Sequence, residues 1–329
     1  MKNPVGRSSI AIAGAGITGA YLYRHLSLRG LQADIFDLPK VTKCGLTPCA
    51  WGTSRGFHEL VDECELDPEN YLLYRSAHVR IDEVQIDADV MTIDKPRLIK
   101  DLLHGAQVKK ESPDISLYDR VIDATGLSRA FLTPIEKDLL LPCIQYRVKS
   151  ETRLENRIRL CGVGYAWCLP LSEATYHIGC GSFLTNPAEF LQSLGWLNRD
   201  GMKVVCECGA SIRLTGPGHS RPFVENGPPE GVWGVGEGIG CVAPLAGDGI
   251  VTGMGTVKLL LKYWDDPEGY EKAVLHDFGW MEEERRILGK VLQGGVPDQR
   301  DARVLKENSR RMGIRIGLTD AVSLLNNLK

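Results

Sequence analysis

The sequence predicts an α/β protein in which a parallel-sheet unit is interleaved with an antiparallel-sheet unit and followed by a helical C-terminal region. Three observations support this prediction. The 329 residues exceed the roughly 100–200 residues of one compact domain. The chain opens with a buried strand, a glycine-rich turn and a helix. Residues 143–183 and 203–215 alternate between apolar and polar side chains, as the strands of an antiparallel sheet do.

Composition limits the class of protein. Hydrophobic residues make up 43% and charged residues 25%, which is typical of globular proteins and excludes disorder, collagen and coiled coil for the whole chain. A net charge of −3 provides no basic excess for a nucleic-acid surface. No apolar stretch reaches the about 20 residues of a transmembrane helix. Ten cysteines without a secretory signal or zinc-ligand spacing predict a cytoplasmic protein with reduced thiols and no metal site.

Local patterns predict the order of the elements. The chain begins with a strand–helix–strand unit over residues 8–14, 17–29 and 32–37. Residues 40–58 are rich in Cys, Gly, Thr and Pro, which predicts an irregular loop. Alternation or helical periodicity assigns strands within 71–93, a helix over 96–104, a strand over 119–124, a helix over 186–197, a strand over 231–236 and a helix over about 248–263. From residue 266 onward the chain is charged and helical, with a loop near 294–298.

The glycine-rich turn has the form of a Rossmann-type dinucleotide fingerprint. Gly14, Gly16 and Gly19 fit G-x-G-x-x-G, with Thr18 inside the motif. The three glycines permit a tight turn, a close approach of a pyrophosphate and close helix–strand packing, and the helix N-terminus attracts the phosphates. Asp37 ends the second strand, where a carboxylate can bind a ribose. The alternative is a glycine-rich turn without a ligand, and the motif alone does not separate NAD from FAD.

Two later segments carry a resemblance to FAD oxidoreductases of the hydroxybenzoate-hydroxylase type. Residues 119–126, which include Ala124 and Gly126, resemble the second flavin-side segment of that superfamily. Residues 232–251 resemble the third, which implies that Gly236 and Glu237 bind the ribityl chain, although Glu replaces the usual Asp and is one methylene longer. The turn of Pro244, Gly247, Gly249 and Ile250 is similar to the one that opens a helix toward the flavin. The resemblance implies one FAD held between these segments and the opening turn.

A further segment resembles the signature of geranylgeranyl reductases. Tyr165, Trp167 and Pro170 fit Y-x-W-x-F-P, with Leu in place of Phe, and Gly179-x-Gly181 follows at the family's spacing. The resemblance implies that Tyr165, Trp167 and Pro170 line a long apolar cavity for an isoprenoid chain. Alternation alone would favour core positions in a sheet for the two aromatic residues.

Two shorter matches extend the resemblance. Cys44 and Gly45 stand where the family has a Cys-Gly pair near the isoalloxazine, which implies a cofactor contact and, for Cys44, a catalytic role. A small buried hydrophobe is the alternative for this cysteine. The segment from Lys95 to Leu102 is similar to the family's R-x-x-(F/L)-x-x-x-L helix. Lys95 stands at the position of the arginine, and Arg97 is a possible substitute for that cofactor contact.

Together these matches cover about residues 8–262 and indicate a shortened member of the geranylgeranyl reductase family. They imply an FAD-dependent reductase that saturates C=C bonds of a prenyl lipid, with ferredoxin or NAD(P)H as electron donor, no nucleic-acid partner, and contact with the membrane surface where the substrate lies. A flavin monooxygenase and a non-catalytic flavin-binding protein are the alternatives. We expect an FAD-binding domain of residues 1–40, 85–130 and 231–264, a substrate domain of 41–84 and 131–230, and a helical region of 265–329.

Overall fold

The computed structural model describes residues 9–39, 49–227 and 230–328. Within these residues there are fifteen strands: β1 (Ile10–Ala13), β2 (Ala33–Phe36), β3 (Gly52–Thr53), β4 (Leu72–Ile81), β5 (Val84–Ile93), β6 (Val108–Lys109), β7 (Arg120–Asp123), β8 (Leu140–Ser150), β9 (Arg157–Leu160), β10 (Gly164–Pro170), β11 (Thr175–Ser182), β12 (Met202–Arg213), β13 (Val224–Glu225), β14 (Val232–Gly234) and β15 (Ile314–Arg315). The same residues form nine α-helices: α1 (Ile17–Leu28), α2 (Phe57–Asp62), α3 (Lys95–Leu102), α4 (Pro187–Ser193), α5 (Ile250–Lys262), α6 (Pro267–Asp277), α7 (Trp280–Leu292), α8 (Gln299–Ser309) and α9 (Leu318–Asn326).

The first sheet has six strands in the order β13-β14-β7-β1-β2-β6. All neighbours in it are parallel except β13, which pairs antiparallel with β14. All four residues of β1 are buried at the centre of the sheet, and α1, α3 and α5 pack on it through a large apolar core. Because β1, β7 and β14 run in the same direction, the turns that follow them meet at one edge. The predicted strand–helix–strand opening is confirmed, within two residues at each boundary.

The second sheet has nine strands, with the path β12-β8-β11-β10-β9-β4-β5-β15 and β3 paired to β5. Its strands pair antiparallel apart from β4 and β9, which confirms the sheet type predicted from alternation. The expected domain boundary at residue 85 falls inside the β4–β5 hairpin, so β5 belongs to this sheet and not to the cofactor unit. Conversely, β13 comes from the segment assigned to the substrate domain but pairs in the first sheet.

The helical C-terminal region packs against the second sheet. Helices α7, α8 and α9 bury apolar residues in a core shared with β4, β5 and β9, and β15 pairs with the edge of β5. The predicted loop near 294–298 separates α7 from α8, which begins with a capping box of Asp298 and Asp301. One helix was missed, since α2 begins at the end of the segment predicted as a loop. Across the described ranges, no helix combines the length and the apolar character needed to cross a membrane.

Candidate cofactor and substrate site

The turn after β1 brings two backbone segments into contact. The N–H of Gly14 donates to the carbonyl of Phe36 at 2.8 Å, and its φ of +105° lies in the region that favours glycine. A Cβ at this position would overlap the carbonyl oxygen of Ala124 in the turn after β7. Gly19 is equally constrained, because a Cβ there would overlap the carbonyl oxygen of Gly14. Gly14 and Gly19 thus hold the first turn, α1 and the second turn together.

The middle glycine of the motif faces open space. Gly16 is the N-cap of α1 and provides no side-chain cap, and a Cβ built on it would meet no atom within 4 Å. It lines a cavity together with Ile17 and Thr18 from the first turn of the helix. The start of α1 therefore forms a cradle of the shape and polarity that suits a pyrophosphate. Asp37 lines the same cavity and accepts the N–H of Ala15 at 3.4 Å.

Asp123 shapes the second turn. One carboxylate oxygen accepts the N–H and the hydroxyl of Thr125, at 3.0 and 2.6 Å, and the other accepts the N–H of Phe131 at 2.8 Å. These bonds hold the 3₁₀ turn Gly126–Ser128 against the end of β7. Ala124 and Gly126, the two residues predicted here, both line the cavity.

The third turn contains the Gly-Glu pair that replaces Gly-Asp. Glu237 lines the cavity, and its Oε1 accepts the backbone N–H of Arg213 at 2.9 Å. Burial raises the pKa of this carboxyl above its usual value. Gly236 does not line the cavity but donates its N–H to the hydroxyl of Thr256 at 2.9 Å. Contact of the pair with a ribityl chain stays a prediction, and Glu237 is the member whose side chain reaches the cavity.

A buried arginine fastens the second and third turns to each other. Arg213 ends β12 with only 4% of its surface exposed. Its guanidinium pairs with Asp138 at 2.9 Å and donates to the carbonyls of Gly126 and Glu237 at 3.2 and 3.1 Å. The sequence analysis missed this residue. The only signal was a charged side chain between the apolar residues Ile212 and Leu214.

The two basic residues predicted on α3 differ in position. Lys95 begins the helix and lines the cavity, within electrostatic reach of Glu237. Arg97 is exposed and lies off the cavity, and its Nη1 donates to the carbonyl of Asn70 at 2.9 Å. A cofactor contact thus remains a prediction for both, and Lys95 is the better placed. Cys44 and Gly45 lie outside the described residues.

Side chains from the second sheet and the segment after β3 support the turn before α5. Gly247, Gly249 and Ile250, which the resemblance assigns to the flavin side, line the cavity. Asp248 accepts the hydroxyl of Ser54 and the N–H of Ile250, both at 2.9 Å, and burial raises the pKa of its carboxyl. From β10, the hydroxyl of Tyr165 donates to the carbonyl of Ala246 at 2.6 Å.

The pairing of β10 with β11 explains the spacing of the aromatic and glycine residues. Tyr165 lies opposite Gly181 and Trp167 lies opposite Gly179. A Cβ on Gly179 would overlap the indole of Trp167, and a Cβ on Gly181 would lie 2.6 Å from the sulfur of Cys143. The glycines therefore make room for bulky side chains on one face of the sheet. Tyr165, Trp167 and Pro170, the predicted substrate contacts, all line the cavity.

The cavity has a volume of about 690 Å³ and continues beyond the aromatic pair. Past Tyr165 and Trp167 it runs between the second sheet and the C-terminal helices. Apolar side chains from both sides form its wall there, including Val79, Ile81, Ile158, Leu305, Ile316 and Leu325. We call this end of the cavity the apolar compartment. The sequence analysis assigned no role to the C-terminal residues, because their matches were only general helical character.

A further acidic side chain lines the cavity from the helical C-terminal region. Glu284 on α7 is only 3% exposed, and its Oε2 accepts the N–H of Leu245 at 3.0 Å. Burial raises the pKa of this carboxyl to about 7. The signal for this residue was a Glu at the helical spacing of Met281, Ile287 and Leu288, which are buried on the same face.

Comparison with known proteins defines the class to which this fold belongs. No family model matches the sequence. An uncharacterized protein of Methanocaldococcus jannaschii is 24% identical over 290 residues, which cover 72% of this chain and 78% of that protein. A geranylgeranyl bacteriochlorophyll reductase-like protein from Thermoplasma acidophilum has a similar structure, with a TM-score of 0.71 and 15% identity over 97% of this chain and 95% of that one.

Two other solved structures have the same fold, but their names give other activities. A tryptophan 6-halogenase from Streptomyces toxytricini has a TM-score of 0.70 and 12% identity over 98% of this chain and 91% of that one. A flavoprotein/dehydrogenase from Cytophaga hutchinsonii has a TM-score of 0.64 and 11% identity over 91% and 92% of the two chains. The chain therefore has the α/β fold of FAD-dependent oxidoreductases, and FAD is the cofactor of this class. Identities this low define the fold and leave the reaction open.

Proposed function

We propose that this chain is an FAD-dependent reductase that saturates C=C bonds of a geranylgeranyl or other polyprenyl chain. The observation that supports this proposal most is the continuity of the cavity, which joins the dinucleotide turns to the apolar compartment. A polyprenyl chain offers no polar group near its double bonds, so an apolar wall beside the cofactor suits its recognition.

The described residues fit FAD at three places. The cradle at Gly16 suits the pyrophosphate, and the carboxylate of Asp37 suits a ribose hydroxyl. Glu237 and the turn before α5 lie where the flavin half would follow, on the side of Tyr165. When bound and reduced, FAD supplies a hydride.

The protein itself would position the alkene and exclude water. Tyr165 and Trp167 line the cavity, and both rings are anchored: the hydroxyl of Tyr165 donates to the carbonyl of Ala246, and the indole N–H of Trp167 donates to Gln145 at 3.2 Å. Fixed faces reduce the freedom of a flexible chain beside the flavin, which favours reaction. Cys44 keeps its predicted catalytic role in this proposal.

The proposed partners follow from the substrate and the cofactor. A prenyl lipid reaches the protein from a membrane, so we propose contact with the membrane surface. The sequence holds one dinucleotide fingerprint, at Gly14–Gly19, which FAD would occupy. Either ferredoxin or NAD(P)H would then reduce the flavin.

The proposal is tested with purified protein loaded with FAD and reduced by dithionite without oxygen. After incubation with a geranylgeranyl lipid, mass spectrometry should detect the gain of two hydrogens for each double bond reduced. Gly16→Asn, which fills the cradle, should lose FAD and turnover, whereas Gly30→Asn at an exposed turn should keep both. No mass gain with several prenyl substrates would refute the proposed reaction.

A flavin monooxygenase is the second candidate, because the halogenase resembles this fold as closely as the reductase-like protein does. Oxidation of NADPH that depends on oxygen and is stimulated by an aromatic substrate would favour that function. A flavin-binding protein without turnover is distinguished by its spectrum. Its yellow colour would bleach with dithionite and would not return faster when a prenyl lipid is added under anaerobic conditions.

A further inference from the structure

We propose that Glu284 is the proton donor of the cavity, supplying the proton that completes saturation of the C=C bond. This role rests on the reductase function proposed above and assigns its second hydrogen to a residue of the C-terminal region. It is carried by the position of the carboxyl group between the cofactor turn and the apolar compartment.

The helix that carries Glu284 would pack more favourably with an apolar residue at this position. Met281, Ile287 and Leu288 are buried on the same face of α7, and Glu284 lies among them with 3% of its surface exposed. A carboxyl group so buried is costly without a cationic partner. Within residues 9–39, 49–227 and 230–328, no lysine, arginine or histidine forms an ion pair with it. A buried acid of this kind therefore indicates a role beyond packing.

The contacts of Glu284 place it at the turn before α5. Its Oε2 accepts the N–H of Leu245, and the next residue of that turn, Ala246, accepts the hydroxyl of Tyr165. The side chain of Asn308 on α8 also donates a hydrogen bond to this carboxyl group. The acid thus lies at the same turn as a residue predicted to contact the substrate.

The surroundings of Glu284 keep a proton available near neutral pH. Burial is the main cause that raises the pKa of its carboxyl to about 7, and the bonds from Leu245 and Asn308 and the charge of Arg311 offset part of it. Tyr165 from β10 is in electrostatic reach of both Glu284 and Asp248, and burial keeps it neutral by raising the pKa of its phenol. An acid that is about half protonated at neutral pH has the value that general acid catalysis favours.

Two other carboxyl groups on the cavity, those of Asp248 and Glu237, belong to the turns expected to hold the cofactor. Asp248 accepts hydrogen bonds from Ser54 and from the N–H groups at the start of α5, which fix that helix. Glu237 accepts the N–H of Arg213 and lies at the turn expected to hold the ribityl chain. Glu284 lies outside those turns, on α7, and accepts hydrogen bonds from Leu245 and Asn308.

The proposed step balances. The π bond of the alkene breaks, and two C–H bonds form, one with a hydride from the reduced flavin and one with the proton of Glu284. The alkene is reduced by two electrons and the flavin is oxidised by two. Glu284 becomes a carboxylate and takes up a proton from water before the next turnover.

The test compares Glu284→Gln with Glu283→Gln. Gln keeps the size of the side chain and an oxygen that accepts the N–H of Leu245, but it donates no acidic proton. We expect E284Q to bind FAD and lipid like the wild type and to lose about 100-fold or more of the rate of lipid reduction. Glu283, on the exposed side of the same helix, pairs with Arg286 and Arg300, so E283Q should keep the wild-type rate.

A second readout needs neither flavin nor substrate. Infrared difference spectra of the protein without FAD should contain a protonated-carboxyl C=O band that titrates near pH 7 and is missing in E284Q. E284Q that turns over at the wild-type rate, or a wild-type spectrum without this band, would overturn the proposal while the reductase function stands. Absence of turnover in the wild type would instead refute the function and the proton donor with it.

Should E284Q not fold, as judged by circular dichroism, Glu284→Asp replaces it. Asp keeps the acid but withdraws it by one methylene, so we expect a lower rate that still falls as pH rises through the pKa of the residue. A rate in E284D that does not depend on pH would overturn the proposal.

Discussion

The two sheets build the two ends of one cavity by different physical means. At the six-stranded sheet, contacts are made by backbone and glycine, as where Gly14 touches the turn of Ala124. At the nine-stranded sheet and the C-terminal helices, the wall consists of apolar side chains from segments far apart in sequence, such as Ile81 and Leu325. Close backbone approach restricts the residue type, whereas an apolar wall accepts many residues. Substitutions should therefore have sharp effects at the six-stranded sheet and graded effects at the nine-stranded sheet and the C-terminal helices.

The largest effect is expected where the two ends are joined. Arg213→Met would leave the Asp138 carboxylate, only 18% exposed, without its cation. We expect the free energy of unfolding to fall by about 3–5 kcal/mol, measured by urea denaturation, together with weaker FAD binding. The double variant Arg213→Met/Asp138→Leu should recover most of that stability. If Arg213→Met were as stable as the wild type, the pair of Arg213 and Asp138 would not be what joins the two ends of the cavity.

The second prediction concerns the pH dependence of the free energy of unfolding, which Glu284 should control. The pKa of Glu284 is raised from 4.5 to about 7 in the folded protein, so this group stabilises the fold fully below about pH 4.5 and loses that contribution as pH rises through 7. The contribution lost is about 3 kcal/mol. Urea denaturation between about pH 5 and pH 8 should show this loss in the wild type and not in E284Q. Equal pH dependence in both proteins would contradict it.

The third prediction separates two glycines of one motif. Gly14→Ala should lower the free energy of unfolding by about 2 kcal/mol, because φ is +105° and the new Cβ meets the Ala124 carbonyl. Gly16→Ala meets no atom, so its stability should stay within about 0.5 kcal/mol of the wild type while FAD binds more weakly. Thermal unfolding and FAD titration measure the two quantities. The reverse pattern would mean that the cradle is at Gly14.

The fourth prediction concerns the wall of the apolar compartment, where only a modest loss of stability is expected. Leu325→Phe adds volume to the buried face of α9 and should cost about 1 kcal/mol. We expect it to lower kcat/KM for a geranylgeranyl substrate roughly tenfold more than for a shorter prenyl chain. Val322→Phe on the exposed side of the same helix is the matched control and should leave both values unchanged. Equal losses for long and short substrates would argue against a compartment that holds the chain end.

Much of the cavity end at the six-stranded sheet was predictable, because the sequence patterns that specify it are local. Helix α1 was predicted over 17–29 and spans Ile17–Leu28, and the glycine spacing identified the cradle. The β5 strand was assigned to the wrong unit, because alternation identifies a strand but not the sheet in which it pairs. The sequence analysis missed Glu284 and Arg213, because the role of a single charged residue on an apolar face depends on the residues that surround it in the folded structure.

The sequence alone determined the glycine-rich turn between β1 and α1, where steric overlap leaves no residue but glycine at Gly14 and Gly19. Only the tertiary structure decided that the C-terminal helices close the cavity and that Glu284 reaches the cofactor turn. The physical reason is the nature of the contacts. Backbone sterics act between neighbours of known register, whereas hydrophobic burial has no direction and is satisfied by any face that packs.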